Sequence, residues 1–183
     1  MHIATYTESG KPLSDSLLII IDMQKDFVTG PLGSREAQQL VPKLIDKIKK
    51  TEKQLWFTLD THTQDYLHTP EGLKLPVPHC IKGTEGHDII DELLPYFQSA
   101  RVFEKPTFGS VEMAKQIAAM PEIKKVELAG VCTDICVISN ALLIKAFRPD
   151  IEISVDAENC AGSTVENHTA ALISMACCQI EIM

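Results

Sequence analysis

The chain has 183 residues, of which 45% are hydrophobic and 23% charged, and its formal net charge is −8. These values are ordinary for a globular protein, and the length fits a single domain over residues 1–183. The negative charge argues against a nucleic-acid partner, because a phosphate backbone requires a basic surface. The longest apolar run is too short to span a bilayer, which argues against a membrane partner. The N-terminus lacks the pattern of a signal peptide, so we expect a cytoplasmic protein with reduced cysteines.

Short apolar runs alternate with segments of helical period along the chain. The apolar runs predict strands at 16–23, 54–59, 100–103, 125–129, 151–155 and 179–182. The periodic segments predict helices at 36–51, 88–97, 111–120, 133–147 and 165–178. This alternation is typical of the α/β class, in a three-layer, doubly wound parallel sheet of six strands with Rossmann-like order. A GxGxxG fingerprint is absent, so the sequence does not support a dinucleotide cofactor.

Chemically capable residues follow four of the predicted strands. The first strand ends at Asp22, the second at Asp60 and the third at Lys105, whereas the fourth leads through a turn to Cys136. In an open parallel sheet, ligands bind beyond the carboxyl ends of the strands, so we expect these residues at one edge. Each of them alone has an ordinary structural explanation, as a turn acid, a solvated lysine or a core cysteine. Their coincidence favours a shared site.

The predicted helix around Cys136 begins just after a tight turn. Unpaired N–H groups and the positive end of the helix dipole gather there, which is expected to favour a thiolate. A carboxylate can act as the base for the thiol, and Lys105 can stabilise the resulting charge. The N–H groups around the turn from Cys132 to Cys136 can form an oxyanion hole. Acid, amine and thiol together indicate acyl transfer, most simply the hydrolysis of an amide.

A second group of candidate ligands starts at the end of the second strand, in Asp60-Thr61-His62. In an extended segment, residues two apart point the same way and can chelate one ion. A histidine from the loop at 61–86 can complete the ligand set, and mixed nitrogen and oxygen ligands suit Zn²⁺, Fe²⁺ or Mn²⁺. His2, His87 and His168 lack such a context and are predicted to lie on the surface. Cys160, Cys177 and Cys178 are predicted to lie in or near the core.

Four segments together resemble the isochorismatase-like cysteine hydrolases. They are IIIDMQKDF at 19–27, TLDTH at 58–62, FEKPTFGS at 103–110 and AGVCTDICV at 129–137. The resemblance implies the isochorismatase-like hydrolase fold and a catalytic triad of Asp22, Lys105 and Cys136. It also implies a cis peptide bond before Cys132 and an oxyanion hole formed by the N–H groups of Cys132 and Cys136.

Within that family, DxH at 60–62 followed by the Pro-His-Cys of residues 78–80 resembles the nicotinamidase/pyrazinamidase branch, which carries a metal. The resemblance implies metal ligation by Asp60, His62 and His79. The remaining ligand in the family is a histidine or a glutamate, so both His68 and Glu71 are candidates here. Zinc is the preferred ion, with iron or manganese as alternatives. The branch also implies a homo-oligomer, a dimer or a tetramer.

The substrate-binding aromatic residues only partly match that branch. Phe27 matches an aromatic residue that packs on the substrate ring. Three residues before the last histidine ligand, where Trp or Phe is usual, this chain has Pro76, so Phe108 or another side chain would have to complete the ring contact. The expected function is the metal-dependent conversion of nicotinamide or pyrazinamide to the acid and ammonia through a thioester. The alternatives are hydrolysis of another small amide, carbamoyl compound or enol ether, and a non-catalytic metal-binding scaffold.

Overall fold

The computed structural model describes residues 14–183. His2, predicted to lie on the surface, falls outside this range. The strands are β1 (Ser16–Ile21), β2 (Gln54–Asp60), β3 (Arg101–Lys105), β4 (Lys125–Val131), β5 (Glu152–Ala161) and β6 (Glu181–Ile182). The helices are α1 (Lys25–Val28), α2 (Arg35–Lys50), α3 (Leu94–Phe97), α4 (Val111–Ala118), α5 (Ile138–Phe147) and α6 (Val165–Cys177). Three 3-10 turns lie at Tyr66–His68, Glu85–His87 and Asp91–Leu93, and a π turn at Thr133–Val137.

All six strands form one parallel sheet in the order β3-β2-β1-β4-β5-β6. This is the predicted doubly wound, Rossmann-like order. The chain runs outward from β1 in one direction through β2 and β3, and from β4 in the other direction through β5 and β6. The reversal lies between β1 and β4, where such sheets open a crevice at their carboxyl ends. The single-domain assignment of residues 1–183 stays a prediction.

The central strand β1 is buried on both faces, as its uninterrupted apolar run predicts. Leu17, Ile19 and Ile21 belong to the core between the sheet and the α4–α5 side. Leu18 and Ile20 point the other way, into the core beneath α2. The helix α2 begins at Ser34, whose side chain accepts a hydrogen bond from the Ala37 N–H at 3.0 Å. Two helical layers therefore enclose the sheet and leave its carboxyl ends as the place for ligands.

The backbone is unusual where β1 meets β4 at the crevice. Gly130 has a φ of +122°, and a Cβ there would lie 2.2 Å from the Ile21 carbonyl oxygen. Only glycine therefore lets β4 approach β1 this closely. The next residue after β1, Asp22, has a φ of 49°, a left-handed conformation that aspartate tolerates better than most residues.

Some predicted boundaries change in the structure. The strand β3 extends to Lys105, so this lysine is the last residue of a strand rather than part of the following loop. The predicted helix at 88–97 is a 3-10 turn followed by one short α-helical turn. The predicted helix at 133–147 begins with the π turn and becomes α-helical at Ile138. Among residues 14–183, no helix has the length and apolar character needed to cross a bilayer.

Candidate active site

Lys105, the last residue of the outer strand β3, lies at the centre of a buried group of polar side chains. Its Nζ is 2.7 Å from Asp22 Oδ2, 3.1 Å from Asp60 Oδ1 and 3.4 Å from Cys136 Sγ. These four residues lie at or after the carboxyl ends of β1, β2, β3 and β4, and all are buried. We call them the strand-end cluster. The structure therefore brings together the four residues that the strand-end pattern predicted.

The two oxygens of the Asp22 carboxylate have different partners. Its Oδ1 accepts a hydrogen bond from Thr58 Oγ1 at 2.6 Å, whereas Oδ2 faces Lys105 as an ion pair. Burial raises the pKa of Asp22, and the positive charge of Lys105 opposes that rise only in part. Burial alone would lower the pKa of Lys105, but the negative charges around it, with Asp22 first, raise it well above its usual range. A permanently charged lysine thus adjoins a carboxylate that can hold a proton.

Burial of the Cys136 thiol acts against its ionisation. Burial raises its pKa well above the ordinary value, and the charge of Asp22 adds to the rise, while Lys105 opposes it. The expectation that the start of a helix would favour the thiolate is therefore wrong, because desolvation and the neighbouring carboxylate outweigh the helix dipole. The charge of Asp22 acts on the Cys136 thiol, so this carboxylate can accept the thiol proton.

The turn that carries Cys136 departs from α-helical pairing. The Cys132 carbonyl accepts from the N–H groups of Ile135 at 3.1 Å and Val137 at 3.0 Å. In an α-helix the Cys136 N–H would bond to that carbonyl, so the π turn frees it from this partner. The peptide bond between Val131 and Cys132 is cis, which confirms that expectation from the family resemblance. Burial also raises the pKa of the Cys132 thiol, to about 12.

Four side chains next to the strand-end cluster converge as a donor group for a metal. They are Asp60, His62, Glu71 and His79, and one ligand atom from each lies within 4.8 Å of all the others. His62 Nε2 is 3.0 Å from Asp60 Oδ2, and His79 Nε2 is 3.5 Å from the same oxygen. Glu71 Oε1 is 3.7 Å from both histidine nitrogens. Asp60 therefore faces Lys105 with Oδ1 and this donor group with Oδ2.

The two candidates for the remaining metal ligand, His68 and Glu71, lie in different places. His68 is exposed on the 3-10 turn, and its Nδ1 lies 2.8 Å from Asp65 Oδ1. Glu71 is turned inward because the chain folds back after Thr69, whose hydroxyl accepts from the Gly72 N–H at 3.0 Å. Of the two candidates, the structure brings Glu71 into the donor group and leaves His68 outside it.

The donor group has the chemistry and spacing of a divalent metal site. Bonds of about 2.0–2.2 Å to zinc place neighbouring ligand atoms roughly 3.0–3.6 Å apart, close to the separations found here. His79 Nδ1 lies 2.8 Å from the Val77 carbonyl, which can only accept, so Nδ1 carries the proton and Nε2 is free to bind. Burial acts to raise the pKa of Asp60, but its contacts with His62 and His79 hold it far below the usual range, so this ligand is ionised.

The predicted substrate-contacting aromatic residues differ in their placement. Phe27 is buried, and its ring centroid is 5.4 Å from that of His79, at the edge of the donor group. Phe108 is exposed on the loop after β3, so the structure does not bring it into the buried cluster. Pro76 is exposed as well. An aromatic residue unforeseen from the sequence, Tyr66, is buried with its ring 4.7 Å from His62 and 4.9 Å from His79.

Two polar residues of the DMQKDF segment form hydrogen bonds with the backbone around the site. Gln24 donates to the carbonyls of Asp60 and His87, both at 2.8 Å, and accepts from the Asp60 N–H at 2.7 Å. Asp26 accepts from the N–H of Cys80 at 2.7 Å, next to the ligand His79. Polar residues directly after a buried strand indicate a role near the site, but the sequence does not identify their hydrogen-bond partners.

Several predictions for histidines and cysteines outside the site are wrong. His87 is buried rather than on the surface, and its Nε2 lies 2.9 Å from Thr61 Oγ1. His168 is half-buried, with Nδ1 2.8 Å from Thr133 Oγ1. Cys160 is buried as predicted, but Cys177 and Cys178 are exposed, because α6 ends at the surface. All six cysteines are free.

Comparison with known proteins places this site in a family. The family description "Isochorismatase domain" matches residues 16–183. An uncharacterized isochorismatase family protein of Bacillus subtilis (strain 168), called PncA, is 31% identical over 170 residues, covering 85% of this chain and 91% of that protein.

Two solved structures share the fold closely. The pyrazinamidase/nicotinamidase of Streptococcus mutans UA159 is 28% identical with a TM-score of 0.78, covering 92% of this chain and 99% of its own. The pyrazinamidase of Pyrococcus horikoshii, solved in complex with zinc, is 25% identical with a TM-score of 0.72, covering 93% and 99%. The chain therefore belongs to the isochorismatase family, in which its similarity is to the pyrazinamidase/nicotinamidase-like amide hydrolases.

Proposed function

We propose that this protein is a metal-dependent cysteine amidohydrolase that converts nicotinamide, and pyrazinamide, to the acid and ammonia. The observation that carries the proposal is the position of Lys105 Nζ, which lies within 3.4 Å of Asp22, Asp60 and Cys136. This contact joins a nucleophile, a proton acceptor and a metal ligand in one buried place. The similarity to pyrazinamidase/nicotinamidase structures supports the choice of substrate.

The first half of the reaction forms a thioester. Asp22 accepts the thiol proton of Cys136, and the sulfur attacks the carboxamide carbon. Lys105 stabilises the negative charge that passes between carboxylate and sulfur. The N–H groups of Cys132 and Cys136 stabilise the oxyanion of the tetrahedral intermediate. Asp22 then returns the proton to the amide nitrogen, the C–N bond breaks, and ammonia leaves.

The second half regenerates the enzyme. Asp22 accepts a proton from a water molecule, whose oxygen attacks the thioester carbon. The C–S bond breaks, the acid is released, and the thiol of Cys136 recovers its proton. Asp60, His62, Glu71 and His79 would hold the divalent ion, for which zinc is preferred and iron or manganese also fit. When bound, such an ion supplies a Lewis-acid contact for the ring nitrogen of the substrate.

The test is ammonia release from nicotinamide by purified protein supplied separately with zinc, iron or manganese. We expect Cys136→Ala to abolish release. Cys160→Ala removes the same atoms from another buried cysteine outside the site, so it should keep the activity of the folded protein and controls for lost thiol volume. Release no greater than that of Cys136→Ala with every metal would overturn the proposal.

A second candidate function keeps the same residues and changes the substrate. Pro76 is exposed and provides no ring at the position where the related branch has an aromatic residue. With Pro76 in place of that ring, smaller or non-aromatic amides and carbamoyl compounds become alternative substrates. A panel of such compounds, followed by mass measurement of acylated Cys136, distinguishes the two functions. Acylation by these compounds while nicotinamide stays inert would establish the second.

A further inference from the structure

Asn140 is a fully buried polar residue near the start of α5. Its Oδ1 accepts a hydrogen bond from the Ser110 N–H at 2.9 Å. Its Nδ2 donates to the carbonyl of Phe108 at 3.1 Å and to that of Cys136 at 2.8 Å. A buried amide is costly unless its hydrogen bonds are formed, and here all three are formed to backbone groups. Asn140 thus links two segments of the chain that are distant in sequence.

The first of these segments is the loop that follows Lys105. Residues 106–108 are exposed, and the loop returns to the interior at Ser110. It lies directly on α5, because a Cβ at Gly109 would be 3.3 Å from Leu143 and 3.4 Å from the Ser139 carbonyl. The bonds from Asn140 fix the inner side of this loop, and with it the backbone immediately after the catalytic lysine.

The second segment is the π turn that carries the proposed nucleophile. Asn140 reaches back one helical turn to the carbonyl of Cys136, where the π turn passes into α5. The same side chain therefore contacts the backbone that carries the sulfur and the loop that follows the lysine. Sγ and Nζ of those two residues are 3.4 Å apart.

We propose that Asn140 is a positioning residue, which sets the separation between Cys136 Sγ and Lys105 Nζ by tying the π turn to the loop after β3. The inference rests on the proposed roles of those two residues in catalysis. Asn140 itself bonds only to backbone groups and takes no part in the chemistry. Without its bonds the loop and the turn can shift apart, and a displacement of about 1 Å at a reacting group costs up to roughly 100-fold in rate.

The test uses Asn140→Asp, which keeps the shape but loses the two donated bonds, and Asn140→Ser, a smaller residue that keeps a single hydroxyl. The first readout is the kinetics of the substrate that the protein hydrolyses. We expect kcat to fall by about 10-fold or more while KM changes by less than about 2-fold, because the substrate contacts stay in place. The second readout is the rate of Cys136 alkylation by iodoacetamide, which we expect to fall by about 5-fold or more as Lys105 loses contact with the sulfur.

Alkylation is measured on the Cys136 peptide by mass spectrometry, since the exposed Cys177 and Cys178 also react. The control is Ile144→Ala, which weakens the core beneath the same helix and leaves the three hydrogen bonds of Asn140 in place. All rates are compared at equal fraction folded, from thermal unfolding curves.

Each outcome decides the inference. If Ile144→Ala slows Cys136 alkylation as much as the Asn140 variants do, Asn140 is a structural residue only and the inference is wrong. Unchanged alkylation in both Asn140 variants also overturns it. If the wild-type protein does not hydrolyse nicotinamide but the Asn140 variants still slow alkylation, the proposed substrate fails and the positioning role stands.

Discussion

Two groups of charges lie against this sheet, one fully buried and one partly buried, and they differ in charge balance. In the strand-end cluster, Lys105 faces two carboxylates and a thiol. A second group, here called the lateral cluster, consists of Lys47, Lys53, Glu127 and Asp156. There, two lysines face two acids: Glu127 contacts both lysines, and Lys47 lies 2.5 Å from Asp156 Oδ2.

The difference in balance explains the difference in protonation. Burial acts to raise the pKa of Asp156, but the contact with Lys47 outweighs it and holds the pKa below the ordinary range. At Asp22 burial prevails, because Lys105 is shared with Asp60 and Cys136. Asp156 is therefore held in its ionised form, whereas burial favours the protonated form of Asp22. Ion pairs alone do not indicate a catalytic site. A buried group in which acidic side chains outnumber basic ones, so that a pKa is shifted, is a better indication.

Replacing the lysine of each cluster by methionine gives the largest contrast. Lys105→Met leaves Asp22 without its counter-charge and removes the stabilising charge from Cys136, so we expect amidase activity to fall by about 100-fold or more. Lys47→Met should keep the activity of the folded protein within about 2-fold, because its partners lie outside the site. Activity and thermal unfolding are measured on both variants. Similar activity losses in the two would contradict the distinction between the clusters.

Zinc affinity tests whether Glu71 or His68 is the fourth metal ligand. Glu71→Gln removes one of four charged or basic ligands, so we expect zinc affinity to fall by about 10-fold or more. His68→Ala changes an exposed residue outside the donor group and should leave that affinity unchanged. Titration of metal-free protein with zinc against a competing chelator measures both. A loss with His68→Ala and none with Glu71→Gln would contradict the assignment of the fourth ligand.

Neutralising Glu127, the acid that contacts both lysines of the lateral cluster, should lower stability and leave catalysis intact. Glu127→Gln leaves Lys47 paired with Asp156 and lets Lys53, which is 35% exposed, turn to water. We therefore expect a loss of about 1–2 kcal/mol in the free energy of unfolding, below the cost of a pair buried on both sides. Urea unfolding measures it, with amidase activity of the folded protein as the control. A large loss of activity at unchanged stability would place Glu127 in the catalytic machinery.

The sequence predicted the strand-end residues because their convergence depends on topology alone. Parallel strands present their carboxyl ends at one edge, so Asp22, Asp60 and Lys105 meet whatever the side-chain details. The loop ligand could not be chosen, since Glu71 is turned inward by hydrogen bonds of Thr69 that no period reveals. The raised pKa of Cys136 could not be foreseen either, because it depends on burial and on the charged neighbours of the sulfur.

Side-chain partners across the fold were the other part beyond prediction. Asn140 stands in an apolar helical segment, and only the structure shows that its three bonds reach two other segments. The exposure of Cys177 and Cys178 was missed for a related reason: α6 carries apolar residues over much of its surface, including the exposed Val165 and Ile173, so its pattern does not identify the buried face.

The pH dependence of stability gives the smallest and most specific test of the lateral cluster. The folded-state pKa of Asp156 lies below its ordinary value of 3.8. Its ionised form therefore stabilises the folded protein above that value, and the contribution is lost as the pH falls through the folded pKa. Asp156→Asn should unfold with about 1 kcal/mol less free energy at neutral pH, and this deficit should shrink from about pH 5 to about pH 3. Urea unfolding of both proteins across that range measures the deficit. A deficit that stays constant with pH would mean that Asp156 acts through its hydrogen bonds to Asn159 rather than through its charge on Lys47.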